Sequence, residues 1–159
     1  MNVSHSVHPI RQPNLNDCWA TCTAMVMRLD PVQGVDEVKR RVQSQVRLRP
    51  NGSLPPDQVH ALGRALHLAV EDMRSDSLTA TRLVRAVRRS AAAAFGTYYF
   101  PGAPVAESTQ MHVLLLYRLT GRDDNPMVSL VDPYTGRRIS YLLAEFNQGV
   151  GSVDFLVHQ

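Results

Sequence analysis

Residues 17–29, DCWATCTAMVMRL, decide the fold, because as a helix this stretch is apolar on nearly every side. Asn16 or Asp17 can cap its start, and Pro31 prevents its continuation. A helix without a polar face must be covered by other elements. We therefore expect it to lie at the centre of the molecule.

The segments around this helix predict an α+β protein. Upstream of it, Pro9 and Pro13 favour an irregular stretch to residue 16. Downstream, periodic apolar residues and proline starts predict helices over 35–46, 55–66 and 75–90, with a short strand over 67–73.

The second half changes to strand patterns. Runs rich in β-branched and aromatic residues predict strands over 91–100, 111–119, 126–134 and 152–158, and 135–151 is expected to be a connection. Helices followed by a mostly antiparallel sheet indicate one α+β domain spanning residues 1–159, a length that suits a single core.

Composition argues against several classes of protein. The net charge is +3 and aromatics make up 6% of the residues, without the basic, aromatic-rich stripe of a nucleic-acid-binding protein. The chain has neither an apolar signal-peptide core nor about 18 consecutive apolar residues for a membrane span. We expect a soluble protein, either cytoplasmic or delivered into a target cell by a signal-independent secretion system.

The two cysteines, Cys18 and Cys22, are expected to be free thiols. An i,i+4 pair on one helix has poor geometry for a disulfide. Zinc would need about four ligands in paired short spacings, and the histidines near the N-terminus, His5 and His8, do not supply them. We expect neither a metal nor a cofactor.

Cys18 is the candidate nucleophile. At the first turn of a buried helix, free N–H groups and the helix dipole favour a thiolate. Gln12 lies six residues earlier, and a turn through the intervening residues can place its amide beside the thiol. There it could donate to a developing oxyanion together with the backbone N–H of Cys18. Taken singly, each residue also fits a structural role.

His112 and Asp132 are the candidate base and its orienting group. His112 begins an apolar strand, where the ring can stand at the edge of a cleft. The next strand ends at Asp132, and a short turn joins the two strands, so a hairpin would bring the two side chains together. An Asp before a proline is also a common turn former.

Three further residues are candidates for substrate binding. They are Trp19, Tyr98 and Glu107, the last two near the loop before His112. Trp19 is expected to pack against the wall of the cleft, and Cys22 to lie in the core.

The chain resembles the papain-like cysteine peptidases over nearly its whole length. The blocks QPNLNDCWATC (12–22), MHVLLLYRL (111–119) and SLVDPYTG (129–136) are similar to the Gln/Cys, His and Asp-Pro blocks of the bacterial double-glycine leader peptidases and their relatives. Leader peptidases carry Gly after the nucleophile. Here Trp19 gives Cys-Trp-Ala, as in papain, the staphopains and AvrRpt-type effector peptidases.

This resemblance implies a papain-like fold, with the nucleophile helix packed on the sheet, and a cysteine endopeptidase with a Cys-His-Asp triad. Its substrate would be a protein or peptide, cut after small residues such as Gly-Gly. A bacterial effector or toxin held in check by a cognate inhibitor or immunity protein fits this description. Alternatives are a papain-like deamidase or transglutaminase, a peptidoglycan amidase, and an inactive peptide-binding module.

Overall fold

An antiparallel sheet forms the centre of the structure, a computed structural model that describes residues 1–73, 78–98 and 111–159. Within these residues the sheet has seven strands, in the order β2-β7-β3-β4-β5-β6, with β1 paired to β4. The strands are β1 Asn2–Ser4, β2 Ala69–Asp72, β3 Ala92–Tyr98, β4 His112–Gly121, β5 Pro126–Asp132, β6 Arg137–Leu142 and β7 Gly151–His158.

The helices lie mostly before the sheet in the chain. They are α1 Cys18–Val26, α2 Gly34–Val42, α3 Val59–Leu66, α4 Ala80–Ala86 and the short α5 Leu143–Glu145, with a 3-10 turn at Pro56–Gln58 and a π-helical turn at Phe146–Val150. This combination of helices and an antiparallel sheet confirms the predicted α+β class.

Helix α1 is buried along its full length, as its sequence predicts. Of its two threonines, Thr23 donates its hydroxyl to the Trp19 carbonyl at 2.6 Å, whereas the buried hydroxyl of Thr21 has no hydrogen-bond partner among the described residues. Helix α2 instead buries a stripe of valines and exposes its charged side. It ends at Val42, earlier than predicted, because Gln45 and Val46 both donate to the Val42 carbonyl and close a turn.

Two apolar clusters cover the two faces of the sheet. Strand β4 shows the division, because its side chains alternate between faces. Val113 and Leu115 pack with α1, α2 and α3, whereas Leu114 and Leu116 pack with α4 and Phe146. The strand that begins at His112 is therefore held from both sides.

Two strands were not predicted. The N-terminal segment was expected to be irregular, yet β1 pairs with β4 beyond the end of β3. The connection over 135–151 was expected to lack strands, yet β6 pairs with β5 from Met127 to Asp132. Both are edge strands with little buried surface, so the apolar alternation that reveals a strand is weak in them.

Candidate active site

Cys18 is the first residue of α1. The N–H groups of a first helical turn have no partner within the helix, and they carry the positive end of its dipole. The Cys18 side chain keeps 9% of its surface exposed, whereas Cys22 one turn later has none. The sulfur of Cys18 therefore lies at the edge of the core, beside groups that favour a negative charge.

The loop before Cys18 is fixed by hydrogen bonds at both ends. The backbone N–H of Gln12 donates to the Pro133 carbonyl at 2.7 Å, which ties the loop to the end of β5. At the other end, the Asn14 side chain donates to the Asp17 carboxylate at 2.8 Å. Residues 12–17 therefore connect the start of α1 to the segment after Asp132.

His112 contacts Asp132 and lies close to Cys18. Its Nε2 lies 3.0 Å from Oδ1 of Asp132, and the Cys18 side chain is near enough to the ring to raise its pKa. Since Nε2 faces the carboxylate, Nδ1 is the ring nitrogen that remains free to serve the sulfur. The hairpin of β4 and β5 thus brings His112 and Asp132 together as predicted, and α1 adds the thiol.

These contacts favour the charged form of His112. Burial alone lowers the pKa of the ring, but the hydrogen bond to Asp132, the nearby Cys18 side chain and the charges of both groups outweigh it. The pKa rises from 6.5 to about 9. At neutral pH the ring is an imidazolium, the form that pairs with a thiolate.

Asp132 is held by the turn that follows it. Its Oδ1 accepts the backbone N–H of Tyr134 at 3.0 Å, and its carbonyl accepts the N–H of Gly136 at 2.8 Å. Gly136 has φ +71°, a conformation that other residues rarely adopt. The carboxylate is therefore oriented before any substrate arrives.

Gln12 lies in the same cluster of segments, but its amide hydrogens are already used. Nε2 donates to the carbonyls of Asn14 at 2.9 Å and Leu15 at 2.6 Å. The opposite amide atom, Oε1, is buried and has no hydrogen-bond partner among the described residues. To donate to an oxyanion, as predicted, Gln12 would have to release one of these two carbonyls.

Cys22 is sealed in the core, as predicted. Its thiol donates to the Val113 carbonyl at 3.5 Å. Burial, and then the negative charges of Cys18 and Asp132, raise the pKa of this thiol well above its usual value. Cys22 remains a neutral thiol, so of the two cysteines only Cys18 combines exposure with an imidazolium neighbour.

The candidate substrate-binding residues Trp19 and Tyr98 lie in different environments. Trp19 is 1% exposed, and its indole N–H donates to the Gly52 carbonyl at 3.1 Å. Trp19 packs inside the protein, as expected for so large an apolar side chain. Because so little of its surface is exposed, it cannot contact a ligand, and its assignment as a substrate-binding residue is corrected. Glu107 lies outside the described residues.

Tyr98 lies against the candidate base. Its ring meets His112 edge-on, with centroids 6.3 Å apart, and tilts against Phe146 at 5.9 Å. Its hydroxyl donates to the Ala94 carbonyl at 2.8 Å, and burial raises the pKa of this phenol well above 10. Tyr98 therefore supports the imidazole ring as a neutral aromatic wall, and its contact with substrate stays a prediction.

Sequence reasoning missed an ion pair beside the nucleophile. Asp17, which precedes Cys18, is 3% exposed, and its Oδ1 lies 2.6 Å from Nζ of Lys39 on α2. An uncompensated carboxylate here would oppose a thiolate one residue away, and Lys39 offsets that charge. Asp17 was noted as a helix cap, but nothing in the sequence pairs it with Lys39.

The described residues contain neither a cluster of metal-ligating side chains nor a membrane-spanning helix. No group of three or more His, Cys, Asp or Glu side chains in them could hold a metal ion. None of the described helices has the length and apolar character that crossing a bilayer requires.

Comparison with known proteins does not assign this chain to a family. No family model matches the sequence, and no curated protein is significantly similar to it. The interpretation of the cluster formed by Cys18, His112 and Asp132 therefore rests on its residues and their contacts.

Proposed function

We propose that this protein is a cysteine peptidase in which Cys18, His112 and Asp132 act as a catalytic triad. The observation that carries the proposal is the position of His112, which bonds to Asp132 through Nε2 and lies close enough to the Cys18 side chain to have its pKa raised by it. A nucleophile, a base in contact with it and a third group that orients the base are the requirements of covalent acyl transfer.

In the first half-reaction the Cys18 thiolate attacks the carbonyl carbon of a peptide bond. The carbonyl oxygen becomes an oxyanion, which the N–H groups at the start of α1 can stabilise. Protonated His112 then gives its Nδ1 proton to the leaving amine as the C–N bond breaks. This step leaves a thioester on Cys18 and a neutral imidazole.

In the second half-reaction neutral His112 accepts a proton from water, which attacks the thioester. The C–S bond breaks, the carboxylic acid product leaves, and the proton returns the imidazolium–thiolate pair. Asp132 keeps the same contact with Nε2 throughout. Its role is to hold the ring and to favour its charged form, as in the resting protein.

The test compares the native protein with its Cys18→Ala form in a cell lysate, followed by mapping of new protein N-termini. We expect new termini with the native protein alone, and their sequences would show whether small residues precede the cut. The Cys22→Ala variant is the matched control, because Cys22 is the same residue type one turn further along α1. It should retain cleavage if it folds.

Two outcomes would overturn the peptidase assignment. Equal cleavage by the Cys18→Ala form would exclude Cys18 as the nucleophile. Intact targets that each gain about one dalton, in a manner that needs Cys18, would instead identify a glutamine deamidase, since that reaction uses the same three groups.

A further inference from the structure

Two exposed arginines and an exposed tyrosine surround the turn that follows Asp132. Arg11, Tyr134 and Arg137 are all exposed, and Tyr134 shows 43% of its surface. We call these three residues the arginine patch. They lie beside the candidate active site, because the turn between Tyr134 and Arg137 is the one that orients Asp132.

The backbone of the arginine patch is rigid. The N–H of Gln12 donates to the Pro133 carbonyl, so the residue next to Arg11 is tied to the turn. Arg11 also packs on Gly136, where an added Cβ would lie only 3.2 Å from the Arg11 Cβ. Arg137 directly follows this glycine, and its N–H donates to the Thr135 hydroxyl at 3.2 Å.

Neither guanidinium has a carboxylate partner within ion-pair distance in the part of the chain that the structure describes. Other exposed arginines do: Arg41 pairs with Glu37, Arg85 with Glu71 and Arg122 with Asp124. The acid opposite Arg137 in the sheet is Asp132, and its Oδ1 is occupied by His112. The positive charge of the patch is therefore available to a ligand.

The distance from the patch to Cys18 sets where that ligand must lie. Arg137 lies opposite Asp132, with Cβ atoms about 5 Å apart, and Asp132 contacts the His112 ring beside Cys18 at 3.0 Å, so Arg137 lies on the order of 10 Å from the sulfur. An extended peptide covers this distance with about three residues. A substrate attacked by Cys18 can thus place a nearby side chain on the arginines.

We propose that the arginine patch selects substrates carrying an acidic side chain about three residues from the acyl group that Cys18 attacks. This inference rests on the proposed function, whose substrate class it narrows. The planar fork of a guanidinium matches a carboxylate, and Tyr134 supplies an apolar surface for the rest of the side chain. Two cations around one turn fit a single acidic side chain better than the repeating phosphates of a nucleic acid, which need a longer basic stripe.

The test reads this preference from the alkylation of Cys18, so it does not require cleavage. The first pair of probes is iodoacetyl-Gly-Gly-Glu amide and iodoacetyl-Gly-Gly-Gln amide. A second Glu and Gln pair carries the iodoacetyl group at the carboxyl end of the peptide, so that the acidic residue lies on the other side of the reactive group. The rate of Cys18 labelling is followed by mass spectrometry of the intact protein. For exposed ion pairs, we expect a Glu-to-Gln rate ratio of about two to ten in one of the two pairs, falling as salt is added.

The variant Arg11→Gln/Arg137→Gln should bring the ratio close to about one. The matched control is Arg64→Gln/Arg118→Gln, which removes the same charge from two exposed arginines on α3 and β4. It should keep the ratio of the native protein. A Glu-to-Gln rate ratio near one in the native protein would overturn the patch as a selective site. So would an equal fall of this ratio in both double variants. Stronger protection of Cys18 by an oligonucleotide than by an acidic peptide would overturn it as well.

Failure of the proposed function gives a different result. If Cys18 reacts with the Gln probes no faster than a model thiol, the nucleophile assignment falls. The Glu-to-Gln ratio still reports on the arginine patch in that case, because it compares two probes on the same thiol.

Discussion

The charge of His112 links the stability of the fold to pH. Its pKa is 6.5 in an unfolded chain and about 9 in the folded protein. The protonated ring therefore stabilises the fold fully below pH 6.5, and this contribution is lost as the pH rises through 9. A shift of this size corresponds to at most about 3 kcal/mol.

Asp132→Asn should remove a large part of this pH dependence, because a neutral amide cannot stabilise the imidazolium by its charge. The measurement is the free energy of unfolding in urea between about pH 6 and pH 9.5. We expect the native protein to lose more stability over this interval than the variant does. Parallel curves for the two proteins would contradict the assigned cause of the shift.

Gln12 gives a second prediction at the residue scale. Its Nε2 donates to two carbonyls, so Gln12→Glu would place a buried carboxylate against two other acceptors. We expect a loss of about 3 kcal/mol at pH 8, larger than that for Gln12→Ala. At pH 5 part of the loss should be recovered, because a protonated carboxyl can donate one hydrogen bond.

The measurement for Gln12→Glu is the difference in unfolding free energy from the native protein at the two pH values. Using this difference cancels the pH response of the other carboxylates. A Glu variant as stable as the native protein at pH 8 would mean that the amide does not hold these carbonyls in solution.

At the scale of elements, a glycine lets the strand that pairs with His112 approach β7 closely. Gly96 on β3 lies opposite His112 on β4, and the pairing of β3 with β7 shifts between Phe95 and Gly96. A Cβ on Gly96 would lie 2.0 Å from the Ser152 carbonyl oxygen, closer than any contact that real Cβ atoms make. Only glycine allows the two backbones this approach.

Gly96→Ala should therefore lower stability by about 3 kcal/mol or more, and slow the alkylation of Cys18 by disturbing the strand that pairs with His112. Thermal unfolding and iodoacetamide labelling check both effects. The control is Gly149→Ala, since a Cβ there meets nothing within 4 Å. It should change stability by no more than about 1 kcal/mol. Similar losses in the two variants would refute the steric argument.

At the candidate site, the sequence predicts those contacts that depend on a single element or a single hairpin. The start of an apolar helix locates Cys18, and two strands joined by a short turn bring His112 to Asp132. Each of these patterns lies within one element or one hairpin. The start of α1 and the paired ends of the β4–β5 hairpin could therefore be inferred without knowing the rest of the sheet.

Other features depend on pairings between distant segments. Tyr98 reaches His112 because Gly96, two residues earlier on β3, lies opposite His112 on β4, and no residue pattern reveals this register. The strand β6 begins with two exposed arginines and buries little, so it resembles a loop in sequence. Its partner β5 supplies the hydrogen bonds that make it a strand.

At the scale of the whole molecule, the two apolar clusters share one sheet and should unfold together. Trp19, the single tryptophan, is buried in the cluster under α1. Leu83 on α4 is fully buried in the other cluster, across the sheet. Because adjacent residues of β4 belong to different clusters, loss of packing on one face loosens the strand that supports the other.

Leu83→Ala should therefore shift the unfolding midpoint of Trp19 fluorescence as far as that of far-ultraviolet circular dichroism. A cavity at a fully buried leucine costs about 2–5 kcal/mol, which lowers the melting temperature of a chain of this length by several degrees. Coincident shifts would show that both layers respond as one unit. An unchanged fluorescence transition beside a lowered dichroism transition would mean that α1, and with it Cys18, is stabilised independently of α4.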